Sequence, residues 1–205
     1  MLIEDAILGR QSIKVFDPRP VPTDLIERCL ALAVWAPNHH LTEPWRFTVV
    51  SGAARTSLAN AVHDDLTRGT SSLDALNTEA KALKERRKLH SAPVLIAVYS
   101  TLGSKAQQTQ ENYAATAAAI QNLLLAAHGF GLGAIWRTGS IYDGPAVRSF
   151  LQSPEGSVFV GTVFVGYSAQ RAIQRHRSPI DRHIVWLGDE TTTHPKSQSM
   201  GGKPL

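Results

Sequence analysis

Polar and apolar positions alternate along this chain in two distinct periods. Helical spacing appears first. Leu2–Gly9 carries Ile3, Ala6 and Ile7 on one side and stops at a glycine. After the loop Phe16-Asp17-Pro18-Arg19-Pro20, Thr23 and Asp24 offer capping oxygens to a second helix. Its stripe of Leu25, Ile26, Cys29, Leu30, Ala33 and Val34 runs toward Pro37, which ends it. Pro44–Val50 alternates with a period of two, as a half-buried strand does, and Ser51-Gly52 closes it. Helices are predicted over Ala53–Thr67 and, beyond the break at Gly69–Ser72, over Leu73–His90. Pro93–Tyr99 is continuously apolar, the mark of a strand buried on both faces. Gln108–His128 is the longest helix and is apolar nearly all round, which implies a central position or a contact between subunits. A strand at Ala134–Thr138, a helix at Pro145–Leu151 and a strand at Val158–Val165 follow, with a last short strand expected at Arg182–Leu187.

Helices and strands intermix without a regular βαβ repeat, so the pattern predicts an α+β fold with helices around a mixed sheet. A length of 205 residues suits a single domain, here residues 1–189. The polar stretch 190–205 reads as a flexible tail. Hydrophobic residues at 43% and charged residues at 19% are ordinary for a globular chain.

A net charge of +4 invites the thought of nucleic acid. The basic residues are scattered, however, and the densest run, Lys84-Glu85-Arg86-Arg87-Lys88, contains an acid and reads as a solvated helix face. With no helix-turn-helix, zinc finger or aromatic RNA-binding signature, the arginines are better explained by an anionic cofactor. Cys29 is the single cysteine, which excludes an internal disulfide and a thiolate metal cluster. It falls on the apolar stripe of its helix, as a small buried hydrophobe. No stretch is apolar and long enough to cross a bilayer, and no signal peptide is discernible, so the expectation is a soluble, cytoplasmic protein.

Gly129-Phe130-Gly131-Leu132-Gly133 has the look of a dinucleotide fingerprint, but it closes a helix and precedes a strand, the reverse of the required order. His39 and His40 are adjacent and cannot converge on a metal as an i, i+4 pair does.

Four segments, taken together and in order, resemble the nitroreductase family, and most closely its short YdjA-type branch. They are Arg10-Gln11-Ser12 ahead of Phe16; Ala36-Pro37-Asn38-His39-His40-Leu41-Thr42-Glu43-Pro44-Trp45-Arg46-Phe47; Gly133-Ala134-Ile135-Trp136-Arg137-Thr138-Gly139; and Gly161–Gly166 followed by Arg175-His176-Arg177-Ser178-Pro179. The resemblance implies FMN held without a covalent bond at a homodimer interface. It implies NADH or NADPH as electron donor, and a nitroaromatic, quinone or related acceptor. It also implies a central mixed sheet completed by a C-terminal strand from the partner, for which Arg182–Leu187 is the candidate.

The same resemblance assigns the site residues. Arg10 and Ser12 match an early contact to the FMN phosphate, a dianion that requires charge-assisted donors, and Gln11 between them is a further cofactor-binding candidate. Arg175 and Arg177 match late basic positions toward phosphate or ribityl oxygens, against the alternative of a solvated loop. His39 approaches the ring from the partner subunit, to hydrogen-bond the isoalloxazine edge or gate the acceptor pocket, against the alternative of a loop histidine satisfied by backbone; Asn38 and His40 are lesser candidates. Trp35 stands where a basic residue occurs in relatives and offers a surface to pack on the ring. Trp136, Arg137, Thr138 and Gly139 leave their strand beside the flavin. Arg137 serves the phosphate or the N1–C2 edge, where reduction places negative charge, and backbone N–H groups around Thr138–Ser140 address N5. No side chain is required as a nucleophile. Rival readings are a relative with other flavin chemistry (removal of a halogen, or flavin breakdown), a flavin-binding protein without turnover, and a nucleic-acid binder. Residues 71–90 are the candidate lid.

Overall fold

The computed structural model describes residues 2–68, 74–171, 173 and 175–187. By its contacts the chain divides into two compact units, Met1–Arg171 and Ala172–Leu205.

The first unit holds the α-helices and β-strands found among the described residues. They are helices α1 (Ile3–Gly9), α2 (Thr23–Ala33), α3 (Ala54–Thr67), α4 (Ala75–Leu89), α5 (Ala106–Gly129) and α6 (Pro145–Leu151), with strands β1 (Trp45–Ser51), β2 (Val94–Ser100), β3 (Gly133–Arg137) and β4 (Val158–Gly166). The strands form one sheet in the order β1-β2-β4-β3, every neighbouring pair antiparallel. The fold is α+β, as the pattern predicts. The mixed sheet is corrected: among the described residues, parallel character is confined to an isolated bridge between Ser12 and Ala134. The reason is topological, because the helix after β2 returns the chain to β3, while β4 inserts between the two.

Side-chain alternation along the strands makes two cores, one on each face of the sheet. Leu95, Ala97 and Tyr99 of β2 point to the face covered by Leu58 and Val62 of α3, Leu89 of α4 and Val147 and Leu151 of α6. Val94, Ile96 and Val98 point to the other, against Ile26, Cys29 and Ala33 of α2 and Ile120, Leu123 and Ala127 of α5. Burial on both faces explains why β2 reads as an unbroken apolar run.

β4 contains a bulge. Val98 pairs with Gly161 while Tyr99 pairs with Phe159, leaving Val160 as the extra residue. Its carbonyl is taken by the Trp136 indole, which donates from Nε1 at 3.1 Å. Gly161 adopts φ +150°, and a Cβ there would meet the Arg137 carbonyl oxygen at 2.7 Å as well as the indole of Trp136. The position demands glycine.

α2 stops at Ala33 rather than running to Pro37, because Val34 takes φ −71°, ψ −2° and the chain tightens into a turn. In the second unit the strand expected at Arg182–Leu187 is absent from the single chain. Ile180–Arg182 forms a 3-10 turn, and Val185, Trp186 and Leu187 are 85%, 67% and 94% exposed. The Arg182 and His183 N–H groups close the turn instead, donating to the Pro179 and Ile180 carbonyls at 3.2 and 2.9 Å. The break at Gly69–Ser72, apart from part of its flank, and the tail 190–205 lie outside the described residues.

Candidate functional site

Arg137 is the last residue of β3 and pairs with Thr162 in the ladder. Alternation puts it on the face of Ile135, and its guanidinium carbon lies 5.0 Å from the centre of the Phe164 ring. Its Nε is shut off from water and has no hydrogen-bond partner. Beside it opens a cleft of about 300 Å³ lined by Lys81, Glu85 and Lys88 of α4 and by Gly139–Tyr142. Three cations and one carboxylate face this space, a net charge suited to an anion.

Glu85 lies on the inward stripe of α4 with Ala82 and Leu89 and is 6% exposed. The stretch read as a solvated face is therefore corrected at this residue. The Glu85 Oε2 accepts from the Tyr142 hydroxyl at 2.7 Å, and Oε1 accepts from Lys88 Nζ. Burial alone raises the Glu85 pKa, but hydrogen bonds from Lys88 and Tyr142 and the charge of Lys88 and Lys84 outweigh it and hold the carboxyl below its ordinary range. Burial, followed by the bond to Glu85, pushes the Tyr142 phenol up.

Arg10, Gln11 and Ser12 are half-buried and follow α1 directly. Arg10 closes the helix with its N–H on the Ala6 carbonyl, and its Nε is also out of water. Ser12 bridges to Ala134, and the Ile13 N–H donates to the Ala134 carbonyl at 3.0 Å. The first segment of the sequence pattern is thus laid against the strand that carries the third. Close packing fixes this contact: a Cβ on Gly133 would meet Ile13 Cγ1 at 2.6 Å.

Trp136 takes the opposite face of β3 from Arg137, and its indole is committed to Val160. Thr138 and Gly139 are exposed as the chain leaves the strand.

The second segment builds a different structure, against α5. His40, Leu41 and Glu43 all adopt left-handed φ, at 57°, 53° and 42°. Such backbone costs of order 1–3 kcal/mol per residue and persists only where its surroundings impose it. Asn38 supplies one constraint, donating to the Ala36 carbonyl and accepting from the Glu43 N–H at 2.9 Å. Helix α5 supplies two more. Thr42 donates to the buried Asn112 at 3.0 Å, and His39 Nδ1 meets Glu111 Oε2 at the same distance. The His39 bond lowers the Glu111 pKa. His39 and His40 stack with ring centres 4.0 Å apart, while Trp35 and Leu41 are each 83% exposed. None of Trp35, Asn38 and His39 lines the Arg137 cleft. Arg175 and Arg177 belong to the second unit, where both are exposed.

A larger cleft of about 410 Å³ borders Lys14, Phe16, Asp17, Arg55 and His90. Its Arg55 is occupied by the Ala92 carbonyl at 2.8 Å, and His90 by Thr56 and the Arg86 carbonyl. No cluster able to hold a metal occurs among the described residues, and no helix among them is long and apolar enough to cross a membrane.

Sequence reasoning missed Lys81, Glu85, Lys88 and Tyr142. A signal was present for Glu85: it falls on the same stripe as Ala82 and Leu89, where a carboxylate is out of place.

The model of the nitroreductase family matches residues 7–167. The Bacillus subtilis protein YfhC is 31% identical over 179 residues, covering 87% of this chain and 91% of the relative. A 5,6-dimethylbenzimidazole synthase of Rhodospirillum rubrum is 30% identical over 189 residues, covering 86% and 85%. Among solved structures, a nitroreductase-like family protein of Bacillus cereus superposes with a TM-score of 0.79 at 31% identity, covering 92% of this chain and 97% of its own.

Proposed function

Because the chain belongs to the nitroreductase family, we propose that it is an FMN-dependent oxidoreductase. It moves electrons from NADH or NADPH to nitroaromatic, quinone or related acceptors, and works as a cytoplasmic homodimer with the flavin at the subunit interface. The observation that carries this reading is the cationic cleft at the end of β3, where Arg137 Nε is buried without an acceptor. An uncompensated buried donor costs about 1–3 kcal/mol, which an anionic or carbonyl oxygen of FMN would offset.

FMN, when bound, supplies the two-electron chemistry. The chain's own residues bind, orient and exclude water. Arg10, Gln11 and Ser12 face the phosphate, anchored to β3 through the Ser12–Ala134 bridge. Arg137 holds an oxygen of the phosphate or of the N1–C2 edge, with Lys81 and Lys88 adding positive potential. The backbone of Trp136–Gly139 and the N–H groups that follow it address N5. The Trp136 indole, committed to β4, acts as a prop for that backbone. Asn38 and His39, displayed on a strained loop, and Trp35, in the turn after α2, serve the site of the partner subunit, and Arg175 and Arg177 add a late contact to the phosphate. Donor and acceptor then use one site in turn.

Anaerobic titration tests this. NADH or NADPH should bleach the yellow protein, and a nitroaromatic or quinone should restore its colour. Double-reciprocal plots should be parallel. Colour that neither pyridine nucleotide bleaches would reduce the protein to a passive flavin binder, and intersecting lines would remove the shared site.

The likeness to the dimethylbenzimidazole synthase supports a second reading. The product named there shares the dimethylbenzene ring of a flavin, so consumption of flavin is the alternative. It would appear as irreversible loss of the flavin spectrum under NAD(P)H and air.

A further inference from the structure

Glu85 is the one buried acid among the described residues, and nothing in the reading above employs it. Removing a carboxylate from water costs several kcal/mol unless donors compensate. On the inward stripe of α4 an apolar residue would serve stability equally well. Glu85 has two donors, and one of them connects it to the candidate site. Tyr142 is 4% exposed and ends the 3-10 turn Ser140–Tyr142 that begins as the chain leaves Thr138-Gly139. The Tyr142 N–H donates to the Gly139 carbonyl at 3.1 Å, while its hydroxyl donates to Glu85 at 2.7 Å. One carboxylate thus ties α4 to the backbone segment assigned to the flavin. It also lines the same cleft as Arg137, Lys81 and Lys88, and is the single negative group there.

We propose that Glu85 is a positioning residue of the cofactor site: through Tyr142 it fixes the turn at the end of β3, and through its charge it limits the positive potential that Lys81, Lys88 and Arg137 impose on the flavin. The proposal rests on the FMN reading above. Its physical content is a sign. A fixed negative charge beside the ring disfavours the addition of electrons, and a fixed positive charge favours it. Removing Glu85 should therefore make the bound flavin easier to reduce, and removing Lys88 should make it harder. A residue that served packing alone would not produce opposite shifts.

The test uses the full chain loaded with FMN at pH 8, as wild type, Glu85→Gln, Lys88→Met and Tyr142→Phe. Two quantities are read: the midpoint potential of the bound flavin, by equilibration with redox dyes, and the FMN dissociation constant, by fluorescence. Glu85→Gln keeps an acceptor for Tyr142 and should raise the potential; Lys88→Met should lower it. Tyr142→Phe keeps the ring and the carboxylate but frees the turn, and should weaken FMN binding about tenfold, the scale of one hydrogen bond to a charged group. Should Glu85→Gln fail to fold, the fall in Lys88→Met and the weaker binding in Tyr142→Phe still carry the proposal. Potentials that stay fixed, or that move in the same direction in both charge variants, overturn it while leaving the FMN reading intact. A wild-type chain that takes up no FMN overturns both.

Discussion

A guanidinium nitrogen withdrawn from water needs an acceptor, and at Arg137 Nε the folded chain provides none. The neighbouring Phe164 ring attracts the cation but accepts no conventional hydrogen bond. Replacing Arg137 by Met should leave the fold intact and weaken FMN binding by about 10- to 100-fold, or 1.5–3 kcal/mol, when followed by flavin fluorescence. Unchanged affinity would remove Arg137 from the site. Cys29 teaches the opposite lesson. It is 1% exposed, and burial pushes its thiol up to about 11, with Arg28 pulling weakly the other way. At neutral pH it is a protonated hydrophobe, as its place on the α2 stripe predicts. A thiol-reactive disulfide reagent should label the native protein negligibly over an hour and the denatured protein stoichiometrically; rapid native labelling would contradict the burial.

At the scale of elements, periodicity conveyed most of the framework. The stripe of α2 and the apolar run of β2 follow from which faces they bury, and both appear where the pattern places them. The loop 38–43 was not legible in the same way. Its left-handed residues include no glycine, and its constraints come from Glu111 and Asn112, some seventy positions away in sequence. Trp136 belongs to a motif segment and to the strand's core-facing side alike, and the partner of its indole, the Val160 carbonyl, is presented by a bulge that no local pattern announces. Gly161 makes that arrangement possible, and Gly161→Ala should destabilise the protein by about 2–4 kcal/mol in chemical denaturation, from left-handed φ and overpacking combined. A loss below about 0.5 kcal/mol would mean that the indole is not held there. The link between α4 and Tyr142 makes a prediction in acid. Because the folded state holds the Glu85 pKa below 4.5, its contribution to stability is present above that pH and is lost as pH falls through the depressed value. Stability profiles of the wild type and Glu85→Gln should therefore converge as the pH falls below about 4.5. A gap that persists unchanged at lower pH would contradict the ionised pair.

For the whole molecule, the motif segments are shared among several elements of the fold. The first and third meet along β3, the second is displayed on a loop against α5, and the basic residues that end the fourth lie in the second unit. Within the second unit the apolar residues Val185, Trp186 and Leu187 are exposed. Order along the chain sufficed to predict an α+β fold. It did not specify strand order, since the long α5 connection is compatible with either strand direction. Nor did it reveal the α4 wall of the cleft, whose charges resemble any solvated helix until Glu85 is seen facing inward. The most direct measurement is the visible absorption spectrum of the purified protein, followed by identification of whatever heat denaturation releases. Flavin bands and about one FMN per chain are expected. A colourless protein that stays colourless after incubation with FMN would contradict the account.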